Sequence, residues 1–187
     1  MKKMNIALIG NPNCGKTTLF NAYTGKHLKV ANYPGVTVEK KVGEILYGNV
    51  KINITDLPGV YSLNSYTIEE KIAKETIEKE DLDVIIDIVD AASLERNLYL
   101  ALQLIENKKN IIIALNMMDI VRKRGMKINI KKLEERLGVK IIPISAKRKE
   151  GLDKLIETII KEKKSKQKSN IETDTDEDIK QKYDFIE

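Results

Sequence analysis

Short apolar runs recur along the chain, separated by longer stretches in which apolar residues stand three and four apart. The runs Asn5–Ile9, Val50–Thr55, Val84–Val89, Ile111–Leu115 and Ile141–Ile144 are strand-like, and several lack any polar break, as strands buried on both faces do. Lys41–Tyr47 reads as a further strand at a sheet edge. Between them, Thr17–Tyr23, Ile68–Glu78, Leu94–Glu106, Ile130–Leu137 and Leu152–Lys161 carry the spacing of amphipathic helices. Strand and helix alternate, so the pattern predicts an α/β fold with a six-stranded, mostly parallel sheet. No repeat of fixed period is present.

A length of 187 residues with 42% hydrophobic content suits one domain with one core. Past Lys161 the chain turns to Lys, Ser and Gln and then to the acidic run Glu172–Asp178, too polar to pack. The domain is therefore expected over residues 1–165. Residues 166–187 are expected to be a linker and the start of a truncated helical domain, with Ile179, Tyr183 and Ile186 at helical spacing. The apolar run Ile6–Ile9 is too short for a signal peptide, and no window approaches the roughly 20 apolar residues of a membrane helix. A soluble fragment is expected.

The net charge of +5 is unevenly placed: residues 1–120 hold 14 Lys/Arg against 15 Asp/Glu, and residues 121–187 hold 19 against 13. The runs Arg122–Lys127 and Lys161–Lys168 read as solvated surface, with a membrane-facing role as the alternative. Cys14 is the only cysteine, which rules out an intramolecular disulfide and fits the cytosol. His27, the only histidine, reads as a solvated loop residue, since one histidine builds no iron site.

Four motifs carry chemistry. Gly10-Asn11-Pro12-Asn13-Cys14-Gly15-Lys16-Thr17 matches G-x-x-x-x-G-K-[ST] between a strand and a helix. Its backbone N–H groups would wrap phosphates, Lys16 would neutralise β/γ oxygens, and the Thr17 hydroxyl would ligate Mg²⁺. Asp56-Leu57-Pro58-Gly59 ends a strand, where Asp56 can hold the Mg²⁺ shell and the Gly59 N–H can meet the γ-phosphate. Asn116-Met117-Met118-Asp119 follows another strand and can aim a carboxylate at guanine N1–H and the 2-amino group, which adenine lacks in that arrangement. Ser145-Ala146-Lys147 would add a backbone N–H to guanine O6.

In this order, over residues 4 to about 162, the motifs resemble the G domains of translation-factor-like P-loop GTPases. Ala31-Asn32-Tyr33-Pro34-Gly35-Val36-Thr37-Val38-Glu39 looks like the first switch of the ferrous iron transport protein B family. Leu57-Pro58-Gly59-Val60-Tyr61-Ser62-Leu63, and Asp90-Ala91 followed by Leu94-Glu95-Arg96-Asn97-Leu98-Tyr99-Leu100, resemble the same family. That likeness implies a Ras-like three-layer fold and a GTPase at the cytoplasmic face of the cell membrane. It implies attached helical and membrane domains that move Fe²⁺, and leaves self-association open. Thr37 would complete the Mg²⁺ shell in the triphosphate state. Thr18, Gly35, Val36 and Met117 complete the expected contact set, with Met117 matching the family where generic relatives carry lysine.

Val60 stands where many relatives carry a water-orienting glutamine, and a valine cannot do that work. Another positive charge is then needed near the phosphate bridge, and K⁺ can supply it through the Asn13 carboxamide and carbonyls around Asn32 and Tyr33. By resemblance, cation-activated GTPases carry asparagine here; alternatively, Asn13 serves a left-handed turn. Competing readings are an RNA or ribosome-assembly GTPase, for which no RNA-binding motif or aromatic platform exists, and a switch that barely hydrolyses. Redox sensing at Cys14 is a further alternative. No nucleic-acid partner is expected.

Overall fold

A computed structural model describes residues 1–25, 28–107 and 109–165. His27, part of the Lys161–Lys168 run and the linker and truncated element of 166–187 lie outside the described residues. In chain order the elements are β1 (Lys2–Gly10), α1 (Lys16–Thr24), β2 (Leu28–Asn32), β3 (Glu39–Tyr47), β4 (Val50–Asp56), α2 (Ile68–Lys79) and β5 (Val84–Asp90). They continue with α3 (Leu94–Glu106), β6 (Ile111–Asn116), α4 (Met118–Lys123), α5 (Ile130–Leu137), β7 (Lys140–Pro143) and α6 (Leu152–Ser165). The sheet runs β2-β3-β4-β1-β5-β6-β7. β2, β3 and β4 pair antiparallel, and the pairs β4–β1, β1–β5, β5–β6 and β6–β7 are parallel.

The sheet thus has seven strands where the pattern predicts six. The addition, β2, is exposed at every residue and pairs only with β3, Leu28 opposite Gly43 and Asn32 opposite Glu39. It buries nothing, so it leaves no hydrophobic period to read. The short helix α4 also went unread, because six residues after a turn carry too little periodicity.

Strand alternation builds two cores. Ile6 and Leu8 of β1 with Ile52 and Ile54 of β4 face one way, onto Leu19 and Phe20 of α1 and Leu155, Ile156 and Ile159 of α6. Ala7 and Ile9 face the other way, onto Ala73 and Ile77 of α2 and Leu100 and Leu104 of α3. A third cluster joins Leu98 and Leu102 of α3 to Val121 of α4 and Leu133 of α5. The result is a three-layer helix–sheet–helix sandwich whose parallel strands all end at one edge.

Asp87 of β5, between Ile9 and Ile113 in register, is 1% exposed, and neither carboxylate oxygen has a hydrogen-bond partner among the described residues. Burial pushes its carboxyl well above the ordinary carboxylate range. The folded protein therefore holds a proton that the unfolded chain releases above about pH 4. This contribution is complete below the unfolded value and is lost as pH rises from there, at up to about 1.4 kcal/mol per pH unit, until the buried group itself ionises. Asp87→Asn is expected to stabilise the protein at pH 7 and to remove that slope. Urea midpoints across pH check it; parallel curves for parent and variant would contradict the assignment.

Candidate functional site

Every residue of the four motifs lies at or beyond the C-terminal ends of the parallel strands, where open α/β sheets place their ligand crevices. The loop between β1 and α1 is tightly built. A Cβ at Gly10 would fall 2.6 Å from the Ile88 carbonyl oxygen and 2.7 Å from Cys14 Sγ. Gly15 has φ +92°, and a Cβ there would fall 2.2 Å from Asn116 Nδ2. Both glycines are therefore required by packing at this loop.

Asn116, at the end of β6 and 3% exposed, ties the site together. Its Nδ2 donates to the Cys14 carbonyl at 2.9 Å, and its Oδ1 accepts from the Ala146 N–H at 2.9 Å. One carboxamide so joins the phosphate loop to the segment after β7. Met117 then turns the chain with φ 64°, and its methyl lies over Gly15. The turn opens α4 and brings Asp119 beside Ser145, whose hydroxyl donates to Asp119 Oδ1 at 2.9 Å. That hydrogen bond, with Arg148 Nε 3.7 Å from the other oxygen, holds the Asp119 carboxyl below the ordinary range. The carboxylate is ionised at neutral pH and can act only as an acceptor.

Ser145 is pinned by reciprocal backbone hydrogen bonds with Glu150. Because Ala146 N–H is spent on Asn116, the tripeptide's open backbone donor among the described residues is the Lys147 N–H. Arg148 is a site neighbour that sequence reasoning missed; it lies just outside the Ser-Ala-Lys tripeptide and no spacing rule points to it.

Lys16 and Asp56 form an ion pair in a nearly closed setting, with side chains 11% and 8% exposed. Forty residues apart, they are the cation and anion that the sequence assigned to phosphate and to Mg²⁺. Behind Asp56, the Val60 N–H donates to the Gly10 carbonyl at 3.1 Å, and a Cβ at Gly59 would meet Pro12 at 3.4 Å, so the second loop leans on the first. Val60 itself is 2% exposed and belongs to the core. Its side chain has no route to a water in the crevice.

Thr17, Thr18 and Asn13 are exposed on the phosphate loop, and Asn13 adopts φ 65°, so the left-handed turn offered as the alternative for this asparagine is present. Thr37 is exposed in the β2–β3 connection. That connection is held by the Tyr33 N–H on the Val38 carbonyl at 2.9 Å and by Gly35 at φ +76°. Val36 is half-buried there and donates to the Tyr33 carbonyl at 3.3 Å. Tyr33 is buried against α2, its hydroxyl near Thr76 without a regular hydrogen bond, and burial pushes it up to about 12. Cys14 is likewise buried, its thiol pushed up to about 12 by desolvation, which removes the thiolate that redox sensing needs.

Two framework features were also missed. Thr67 and Glu70 form a capping box on α2, and Glu70 further accepts from the Ser62 hydroxyl and the Tyr66 N–H, fixing the segment after Gly59. Thr-x-x-Glu before an apolar run was the available signal. Asn97 of α3 accepts from the Asp90 N–H, and the Arg96 carbonyl accepts from Asn11 Nδ2 at 3.4 Å. The stretch from Asp90 to Leu100 thus fastens α3 to the phosphate loop.

Among the described residues no cluster of three or more His, Cys, Asp or Glu can hold a metal ion, and no helix is long and apolar enough to cross a membrane. A hydroxyl and one carboxylate, Thr17 and Asp56, are hard oxygen donors and fit Mg²⁺ that takes its remaining ligands from phosphates and water.

Residues 4–159 match the family model for ferrous iron transport protein B. The chain is 51% identical over 157 residues to the Fe(2+) transporter FeoB of Legionella pneumophila, covering 82% of this chain and 21% of that protein. It therefore spans about a fifth of that relative. Among solved structures, the FeoB G-domain from Methanococcus jannaschii is 48% identical, with a TM-score of 0.79, covering 88% of this chain and 99% of that one. The cytosolic domain of T. maritima FeoB in a GDP form is 44% identical with a TM-score of 0.86, covering 90% and 65%. The sandwich is thus the α/β P-loop GTPase fold of a G domain, and by family model, identity and structure alike this chain belongs to the ferrous iron transport protein B family.

Proposed function

We propose that this chain is the guanine-nucleotide-binding and GTP-hydrolysing domain of a ferrous iron transporter, carried at the cytoplasmic face of a membrane by helical and membrane domains beyond residue 165. The observation that carries the guanine reading is Asp119: an ionised carboxylate held by Ser145, on a loop that Asn116 locks to the phosphate loop. Its two oxygens match two donors on guanine, and the Lys147 N–H matches the O6 acceptor.

In this reading the residues of the Gly10–Thr18 loop receive the phosphates on their N–H groups. Lys16 exchanges its ion pair with Asp56 for phosphate oxygens. Asp56 and Thr17, with Thr37 from the β2–β3 connection, would hold Mg²⁺. Bound there, Mg²⁺ would supply charge neutralisation between the β- and γ-phosphates. Thr37, exposed on that connection, is the nucleotide-sensing element in this reading. Thr37→Ala is expected to leave GDP affinity unchanged and to slow Mg²⁺-dependent GTP hydrolysis at least tenfold, roughly the worth of one charge-assisted contact. Phosphate release by the purified chain tests this, and an undiminished rate would remove Thr37 from the mechanism.

Hydrolysis is further proposed to be slow and faster in K⁺ than in Na⁺, with Asn13 as the side-chain ligand. Because Asn13 sits at φ 65°, replacement by alanine would confuse a lost ligand with a strained turn. Glycine separates them, since it accepts positive φ freely. Asn13→Gly is expected to abolish potassium stimulation while retaining GDP binding; stimulation that persists would assign Asn13 to the turn alone.

A further inference from the structure

Residues 122–132 contain six cations, Arg122, Lys123, Arg124, Lys127, Lys131 and Lys132, and no acid. All six are exposed. Arg122 pairs with Glu150; the side chains of the other five make no ion pair or hydrogen bond among the described residues. Two of them, Lys131 and Lys132, stand in the first turn of α5, a turn without an acidic residue. The helix dipole opposes positive charge there, so these lysines work against the helix they begin.

The segment is a firmly built turn between α4 and α5. The Met126 N–H donates to the Val121 carbonyl at 3.1 Å, Gly125 turns at φ +68°, and Asn129 caps α5 by accepting from the Lys132 N–H. Val121 and Leu133 anchor it in the core. Met126, in the middle of the cations, is 45% exposed. An uncompensated cationic rim around an exposed flexible apolar side chain is the chemistry of an interfacial anchor. No Phe, Tyr or Trp stands between Tyr99 and Tyr183, so α4, α5 and the turn between them carry no ring of their own on which a nucleobase can stack.

We propose that the α4–α5 turn docks on an anionic lipid surface, its cations on the headgroups and Met126 at the acyl boundary. The proposal draws on the membrane-tethered reading above only for why such a surface lies within reach. Each lysine or arginine near an anionic bilayer strengthens binding roughly fivefold. The purified 187-residue chain is expected to co-sediment with phosphatidylcholine vesicles containing phosphatidylserine and not with phosphatidylcholine alone. Binding is expected to fall away between about 0.15 M and about 1 M salt, as the screening length shortens from about 8 Å to about 3 Å. The combined variant Arg124→Ala, Lys127→Ala, Lys131→Ala is expected to lose roughly a hundredfold in vesicle affinity with GDP affinity unchanged. Met126→Ser is expected to weaken binding severalfold without altering its salt dependence. Equal binding to both vesicle types, or a triple variant that binds like the parent, would overturn the proposal. So would displacement from vesicles by equimolar single-stranded RNA, which would assign the face to nucleic acid. GDP affinity, measured on the same samples, keeps this outcome separate from the nucleotide reading: a parent that binds vesicles but no GDP contradicts only the latter.

Discussion

Asp119→Asn is expected to lower GDP affinity by roughly a hundredfold to ten-thousandfold and to create a preference for xanthine nucleotides. The carboxylate is the acceptor for two guanine donors, and each charge-assisted hydrogen bond contributes about 1.5–3 kcal/mol. Asparagine keeps the shape but turns one acceptor into an NH₂ donor, which then faces a donor on the base. Xanthine carries a carbonyl where guanine carries its 2-amino group, and so restores the match. Ser145 makes the substitution informative, because its hydroxyl can still donate to the remaining carbonyl oxygen and hold the side chain in place. Titration with fluorescent GDP and its xanthine analogue checks it. Unchanged GDP affinity would mean that Asp119 does not read the base.

Gly15→Ala is expected to abolish measurable nucleotide binding and to destabilise the fold by about 3–8 kcal/mol. Two costs combine. Alanine at φ +92° is strained by about 1–2 kcal/mol. Its Cβ would stand 2.2 Å from Asn116 Nδ2, so the carboxamide must leave. The Cys14 carbonyl and Ala146 N–H then lose their buried partner, at about 1–3 kcal/mol each. The phosphate loop and the base-reading loop would no longer share a frame. In an Asn116→Ala background the clash is gone while the hydrogen bonds are already lost, so the two substitutions are expected to be strongly sub-additive. Urea midpoints of the four proteins give the coupling; additivity would show that Gly15 and Asn116 act separately.

The sheet's parallel half was legible because its strands are buried on both faces and leave unbroken apolar runs. β2 was not, because all five of its residues are exposed and only pairing with β3 makes them a strand. The motif residues could be read as a set because each loop follows a strand that the pattern already locates. Their mutual arrangement could not. Nothing in the sequence says that Lys16 and Asp56 pair, or that Ala146 N–H is taken by Asn116 and leaves the Lys147 N–H as the open backbone donor. Both depend on how three loops meet across the sheet edge. Asn13 shows the limit from the other side: ligand chemistry and backbone conformation favour the same residue, and the structure supplies the second reason without removing the first. Val60 was read as unable to orient water from its chemistry alone; the structure adds that it is core.

The central claim is that the crevice at the strand ends binds guanine nucleotides selectively, and displacement of labelled GDP in Mg²⁺ tests it directly. Unlabelled GTP is expected to displace the label at least a hundredfold more effectively than ATP, because adenine leaves the ionised Asp119 carboxylate without donors. Equal displacement by ATP and GTP would contradict the account.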